Sequence, residues 1–286
     1  MKTNRQNQES CQDSVDVPTD DSKIFHAPNG LDIVLHSISE TKYVYKEIFE
    51  DQVYFRHGVD LRSGETVFDI GANIGLFTIF VKESFHDIEV HAFEPSPPIF
   101  DILKTNVAKY GDSVAVYPCG VADHTGEAKF TYYPNYTIMS GLHAGGEQDK
   151  EILRKGIRSQ LVERQVDPSD IQERSLDRMV NVALGQKLEY LCQLRTISDI
   201  IEEKRILTIG LLKIDAEGSE IAILAGIRDE HWKRIRQIVL EIHDPNGSAR
   251  LTVTTLLNRQ GYICVLDEEK NLSGSGIINC YARRPQ

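Results

Sequence analysis

The chain lacks the cysteine pattern of a disulfide framework or a zinc site. Its five cysteines, Cys11, Cys119, Cys192, Cys264 and Cys280, are odd in number, and none has a close partner in the sequence. That usage suits a reducing compartment, so a cytoplasmic location is expected. Long apolar runs are also missing, and no segment reaches the length of a membrane span. Residues 1–22 contain no apolar core segment and do not form a secretory signal; they read as a disordered leader. A basic excess is absent too. Lys and Arg number 32 against 43 Asp and Glu, a formal charge of -11, whereas a nucleic-acid surface wants a basic stripe. Neither nucleic acid nor membrane is expected as a partner. What is present is 286 residues, 41% hydrophobic and 26% charged, enough for one sizeable globular core.

The most informative stretch is Phe68-Asp69-Ile70-Gly71-Ala72-Asn73-Ile74-Gly75. Before it, Thr66-Val67-Phe68 reads as a buried strand; after it, Leu76 to Val81 reads as the apolar face of a helix. Two glycines and an Asn make a turn that a ligand can approach closely. Asp69 stands where a dinucleotide site usually carries its first Gly. That carboxylate would repel a pyrophosphate and welcome an ammonium or sulfonium. The turn therefore points to S-adenosylmethionine rather than NAD, with Asp69, Gly71, Asn73 and Gly75 as its residues. The next strand, Glu89 to Phe93, ends in Glu94, about 20 residues or slightly more beyond the turn, where an acid reaches a ribose diol. Its two oxygens sit side by side, as a vicinal diol requires. After a third strand, Val114 to Tyr117, Gly120 and Val121 are placed to flank an adenine and Asp123 to accept from its amine. Asp123-His124-Thr125-Gly126 reads equally as an ordinary turn.

Alternating strands and helices make an α/β doubly wound core over residues 66–286, a mostly parallel sheet with helices on both faces. The later strands begin near Ile209, Ile235, Tyr262 and Ile277, which brings the total to seven. Residues 23–65 precede this core as a hairpin turning at Pro28-Asn29-Gly30 and a helix over Thr41 to Phe49, with Tyr45, Ile48 and Phe49 on one face. This segment is expected to act as a lid, with Tyr43, Tyr45 and Tyr54 as its candidate residues. A charged, helix-prone insertion spans 143–192, in which Glu147 to Arg164 fits an amphipathic helix broken at Asp167-Pro168-Ser169. A substrate cap and a homodimer contact are both open readings of it.

Ligands of open α/β sheets bind outside the carboxyl ends of the strands. Four strands end there in polar residues: Asp69, Glu94, Asp215, and Glu241 with His243. Alternation puts Glu241 and His243 on one face, and Lys213 and Asp215 share a parity likewise. Polar pairs on apolar strands cost stability unless paired or functional. Methyl transfer from a sulfonium is an in-line displacement that needs the acceptor's proton removed. His243 is the expected base, oriented by Glu241 or Asp215. A competing reading gathers Asp215, Glu241 and His243 on a divalent ion such as magnesium, and is not favoured.

Three elements carry a resemblance to a known family: the Asp69 turn, Ala92-Phe93-Glu94-Pro95, and Leu212-Lys213-Ile214-Asp215-Ala216-Glu217-Gly218-Ser219-Glu220. With them the chain resembles the FkbM-type class I methyltransferases, whose fold is Rossmann-like. The first element is broad among class I enzymes; the Lys-Ile-Asp-Ala-Glu-Gly-Ser-Glu run is more particular. Glu40 to Phe49 and Val239 to Asp244 resemble the branch that tailors polyketides and nonribosomal peptides. The resemblance implies S-adenosylmethionine-dependent methylation of a hydroxyl on a natural-product scaffold or sugar, free or tethered to a carrier protein. It also places the Asp215 and Glu217 turn beside the reaction centre. Transfer to nitrogen or carbon, and a non-catalytic S-adenosylmethionine-binding domain, are the alternatives.

Overall fold

The computed structural model describes residues 23–163, 165, 167, 171–244, 247–268 and 276–285. The leader expected over 1–22 lies outside these residues, as do Pro168 and Ser169 of the expected break. The chain opens with an antiparallel hairpin of β1 (Ile24–His26) and β2 (Asp32–Val34). Helix α1 (Ile38–Tyr45) follows, its first turn capped by the Ser37 side chain, which accepts from the Glu40 N–H. It runs into a π-turn at Lys46–Glu50 and a 3-10 turn at Val53–Phe55.

The alternating core comprises β3 (Thr66–Ile70), α2 (Leu76–Ser84), β4 (Glu89–Phe93), α3 (Pro97–Val107) and β5 (Val114–Tyr117). Next come β6 (Cys119–Val121), β7 (Gly126–Tyr132), α4 (Glu147–Glu163), α5 (Glu173–Leu184) and β8 (Leu188–Arg195). The alternation then resumes with α6 (Ile197–Glu203), β9 (Ile209–Ile214), α7 (Glu220–Ala225), α8 (Asp229–Trp232) and β10 (Gln237–His243). Helix α9 (Ala249–Arg259), β11 (Ile263–Asp267) and β12 (Ile277–Arg283) complete it.

Seven strands form one sheet in the order β11-β12-β10-β9-β3-β4-β5. All its pairings are parallel except those of β12, which runs antiparallel to both β10 and β11. The fold is thus the Rossmann-like, mostly parallel α/β sheet expected. Its central strands are apolar on both faces because helices cover both. On β3, Val67 enters one core cluster while Phe68 and Ile70 enter the other; on β10, Val239 faces the first and Ile238, Leu240 and Ile242 the second.

One expectation fails within the insertion. Residues 188–192 are strand, since β8 pairs with β6 in parallel and β7 in antiparallel to make a separate three-stranded sheet. Its alternation buries Cys192 and Leu194 and turns Leu191 outward, while Leu188, on the buried parity, is exposed at the start of the strand; the two exposed leucines blur the period-2 pattern in the sequence. The helical part ends at Leu184, where α4 and α5 pack through Leu153, Val180 and Leu184 against Tyr133.

The sheet's topology reverses between β3 and β9, from which successive strands spread in opposite directions, and a crevice opens at such a switch point. The two turns leaving these strands are in direct contact. Asp215 N donates to Ile70 O at 3.1 Å, and Gly71 sits at φ +72° with its missing Cβ pointing 1.7 Å from Asp215 O. A side chain there is both strained and blocked. Gly71→Ala is therefore expected to cost at least about 2 kcal/mol in chemical denaturation. Gly30, at φ +85° with nothing near its Cβ position, is the control: Gly30→Ala should cost only about 1 kcal/mol.

Candidate active site

The carboxyl ends of β3, β4, β9 and β10 open into a cleft that contains Gly71, Asn73, Glu94, Asp215, Glu217 and Glu241. Tyr43, Val44, Glu47 and Tyr54 cover it from the N-terminal segment, the Thr137–Met139 turn and Leu142 border it, and α4 adds Ile152, Leu153 and Gly156. Tyr45, expected in the lid, belongs to the core instead, stacked on Phe49 with ring centroids 4.5 Å apart.

Asp69 does not reach the cleft surface. It is fully buried, with Oδ2 accepting from Thr78 Oγ1 at 2.7 Å and Oδ1 lying 3.2 Å from Lys213 Nζ as an ion pair without aligned hydrogen-bond geometry. Lys213 reaches across from β9, where it sits opposite Asp69 in the parallel register. Its Nζ donates to Gly71 O at 2.9 Å and lies 3.5 Å from Asp215 Oδ2. Burial alone would lower the Lys213 pKa; Asp69 and Asp215 outweigh it and raise it. The charge expected to meet the ligand is therefore already taken by a lysine, and Asp69 shapes the turn from beneath.

Glu94 does line the cleft. Its Oε1 accepts from Ser96 N at 2.8 Å and Oε2 from Asn73 N at 3.0 Å, which fixes the carboxylate against the Gly turn. Burial pushes its pKa up to about 7 despite these two donors. Each oxygen keeps lone pairs to accept from a hydroxyl. Asn73, at φ +49°, and Gly120 and Val121 line the same end. Gly75 lies deeper, its missing Cβ 2.8 Å from Leu103 Cδ1; it packs α2 against α3 and is not at the cleft. Asp123 is also away from it, an exposed carboxylate paired with its neighbour His124 at 2.6 Å. Asp123 is thus part of the ordinary turn, and the adenine role assigned to it is not supported by its position.

At the other end, the turn after β9 carries Glu217 at φ +45°, followed by Gly218 at φ +87°. A non-glycine residue in this region is strained, and such strain clusters at functional sites. Behind Glu217 stands His243, which does not itself line the cleft. Its Nδ1 lies 2.8 Å from Glu220 Oε1, and its Nε2 lies 3.0 Å from Glu217 Oε2 and 3.3 Å from Glu241 Oε1. Burial alone would lower the His243 pKa, but these three carboxylates hold it well above the usual histidine value. The three carboxylates favour the protonated ring, so His243 does not stand at the cleft as the free base expected from the sequence. Burial conversely raises Glu217 to about 7 and also raises Glu241.

Sequence reasoning gave Lys213 no role and read Tyr54 only as a lid candidate. Tyr54 OH donates to Asp215 Oδ2 at 3.1 Å, and its ring lies 5.5 Å from Lys213 Nζ. The shared parity of Lys213 and Asp215 was the one available signal. The proposed metal set is not assembled: among the described residues, only Glu202, Glu230 and His231 bring three possible ligand atoms within 4.8 Å of one another. These lie away from the cleft, and Arg228 pairs with both glutamates.

The Methyltransferase FkbM domain profile matches residues 69–264. The chain belongs to the FkbM methyltransferase family. It is 38% identical over 258 residues to the 31-O-demethyl-FK506 methyltransferase FkbM of Streptomyces tacrolimicus, covering 90% of this chain and 95% of that one. It is 34% identical over 264 residues to the AMB antimetabolite synthetase AmbE of Pseudomonas aeruginosa, covering 90% of this chain but 12% of that one. The methyltransferase sdnD of Sordaria araneosa is 30% identical over 233 residues, with 78% and 82% covered. This family member is an S-adenosylmethionine-dependent enzyme, and its cleft suits the cofactor: Glu94 offers acceptors to a diol, and the floor carries more carboxylates than cations. No helix among the described residues is long and apolar enough to cross a membrane.

Two measurements check this arrangement. Glu94→Gln should weaken S-adenosylhomocysteine binding by roughly ten- to a hundredfold in calorimetry. Lys213→Met leaves Asp69 buried without its counter-ion and should lower stability by about 3–5 kcal/mol. Adding Asp69→Asn should recover a large part of that loss in denaturant titrations.

Proposed function

We propose that this methyltransferase transfers a methyl group to a hydroxyl of an apolar natural product, with Glu217 as the base. The carrying observation is the placement of Glu217: a carboxylate raised to about 7, on a strained turn at the cleft floor, 3.0 Å from a buried imidazolium. A base with a pKa near the working pH is matched to taking a hydroxyl proton. The expected catalytic set of His243, Glu241 and Asp215 is thereby rearranged rather than discarded. His243 orients Glu217 and, with Glu241, shares the charge behind it. Tyr54 OH and Lys213 hold the Asp215 carboxylate at the mouth of the same turn.

S-adenosylmethionine, held at Glu94, Asn73, Gly120 and Val121, supplies an electrophilic methyl group on a sulfonium. Asp215, Glu217 and Glu241 give the floor a negative field that favours such a cation. The Glu217 carboxylate receives the acceptor proton, and the charge of His243, whose Nε2 lies 3.0 Å from Oε2, stabilises the carboxylate before that transfer. Ile138, Met139, Leu142, Ile152 and Leu153 provide apolar walls, which support a largely apolar acceptor and exclude water from around it. The names of the FkbM and AmbE relatives support an O-demethyl acceptor such as 31-O-demethyl-FK506, or an acceptor handled by an antimetabolite synthetase. A carrier-tethered acceptor is thus the second form to test.

The test uses 31-O-demethyl-FK506 as a trial acceptor beside carrier-tethered hydroxy acids, with isotopically labelled methyl donor. Label recovered as a methyl ether supports the reading; label on nitrogen or carbon refutes it. Glu217→Gln should lower kcat roughly a hundred- to ten-thousandfold while S-adenosylhomocysteine binding stays near wild type. Because Glu217 must be ionised to act, turnover of the wild type should fall as the pH drops through about 7. A Glu217→Gln enzyme of near-normal turnover would remove the base assignment.

A further inference from the structure

The roof of the cleft is made by two segments far apart in the chain, and one buried carboxylate joins them. Helix α1 brings Tyr43 and Val44 to one edge, and the Thr137–Met139 turn brings Ile138 and Met139 to the other. Glu40, on α1, is 8% exposed and Thr137 is 6% exposed. Glu40 Oε2 accepts from Thr137 N at 2.8 Å, from Thr137 Oγ1 at 2.7 Å and from Ile138 N at 3.3 Å. Its other oxygen, Oε1, is buried with no hydrogen-bond partner among the described residues. A narrow crevice beside Glu40 continues past Val44 to Asn73 and Ile74 of the cofactor turn.

These observations describe a contact with two opposed tendencies. Three donors on one carboxylate oxygen hold the roof shut, and hydrogen bonds to a charged group are the stronger kind. The second oxygen is buried without a hydrogen-bond partner among the described residues, a cost that hydration on opening would release. The helix carrying Glu40 ends in the π-turn at Lys46–Glu50, a local irregularity that frequently marks functional sites. Gln52, just beyond, adopts φ +48°, a strained setting between the helix and Tyr54.

We infer that Glu40 is a positioning residue that latches α1 to the Thr137–Met139 turn, so that cofactor entry and product release both require this contact to break. The inference rests on the location of the cofactor cleft and not on the acceptor or on Glu217, so either can fail without the other. A latch has a kinetic signature. Weakening it favours the open form with or without ligand, so association and dissociation accelerate together while Kd changes little.

The experiment measures association and dissociation rates of S-adenosylhomocysteine for the full chain, with 5′-methylthioadenosine, which lacks the amino-acid end, as a second ligand. Glu40→Ala should accelerate both rates for both ligands by a similar factor, roughly tenfold or more. Thr137→Ala, which removes one donor, should accelerate them less, and should add nothing in the Glu40→Ala background. Unchanged rates in Glu40→Ala would overturn the inference. So would a loss of affinity for S-adenosylhomocysteine alone, which would make Glu40 a direct contact for the cofactor's ammonium. Additive effects of the two substitutions would also overturn it, by uncoupling the residues. If Glu40→Ala does not fold, the same rate pair in Thr137→Ala decides, with unchanged rates refuting the latch.

Discussion

Lys213 lies at the junction of β3 and β9, where its ammonium meets Asp69, the carbonyl of Gly71 and Asp215. Burying an ammonium and a carboxylate costs several kcal/mol per ion before their attraction is counted. The fold offsets this with a carbonyl oxygen from the glycine turn and two carboxylates on adjacent parallel strands. The consequence is geometric: the turn after β3 cannot drift from the turn after β9, because one side chain is bonded to both. The missing Cβ of Gly71 permits the contact, and Asp215 N closes it with a hydrogen bond to Ile70 O. The two halves of the cleft, one that receives a nucleoside and one that carries the acids, are thereby held in fixed register.

The same arrangement sets the electrostatics of the floor. Asp69 and Asp215 hold Lys213 charged, and Glu217, Glu220 and Glu241 hold His243 charged. Five carboxylates thus surround two cations, and the surplus is negative on the side that opens to the cleft. Burial first, and then the crowding of like charge, push Glu217 and Glu241 upward in pKa, Glu217 to about 7. A cationic ligand would relieve part of that surplus. A sulfonium cofactor is therefore matched to the floor as a whole, not to one acid.

Much of this was legible in the sequence, and the failures have a common cause. The seven strands, their polar ends and the glycine turn follow from apolar periodicity and turn chemistry, which are local. The place of Glu94 at the cleft is legible because its distance from the turn is fixed by one helix and one strand. The roles of Asp69, His243 and Lys213 were not found because they depend on which strand lies beside which. Only the β3–β9 pairing puts Lys213 opposite Asp69 and turns a presumed ligand contact into a buried ion pair. Similarly, along β10 His243 reads as a base oriented by Glu241 or Asp215, and its pKa is held up only when the Glu217 turn and the start of α7 close around it. The strand β8 is hidden for another reason: outward-facing Leu191 and exposed Leu188 disguise an alternation that pairing with β6 and β7 makes plain.

These failures divide the chain into two kinds of information. The cofactor half is written in short segments whose backbone geometry is demanding, so single residues such as Gly71 and Glu94 announce it. The opposite walls of the cleft come from α1, the Thr137–Met139 turn and α4, which are separate in sequence and contribute mostly apolar side chains. Such side chains look like core until the structure shows that they face an opening. Substitution along Ile138, Met139, Ile152 and Gly156 would therefore reshape the cleft walls without disturbing the ion pair beneath.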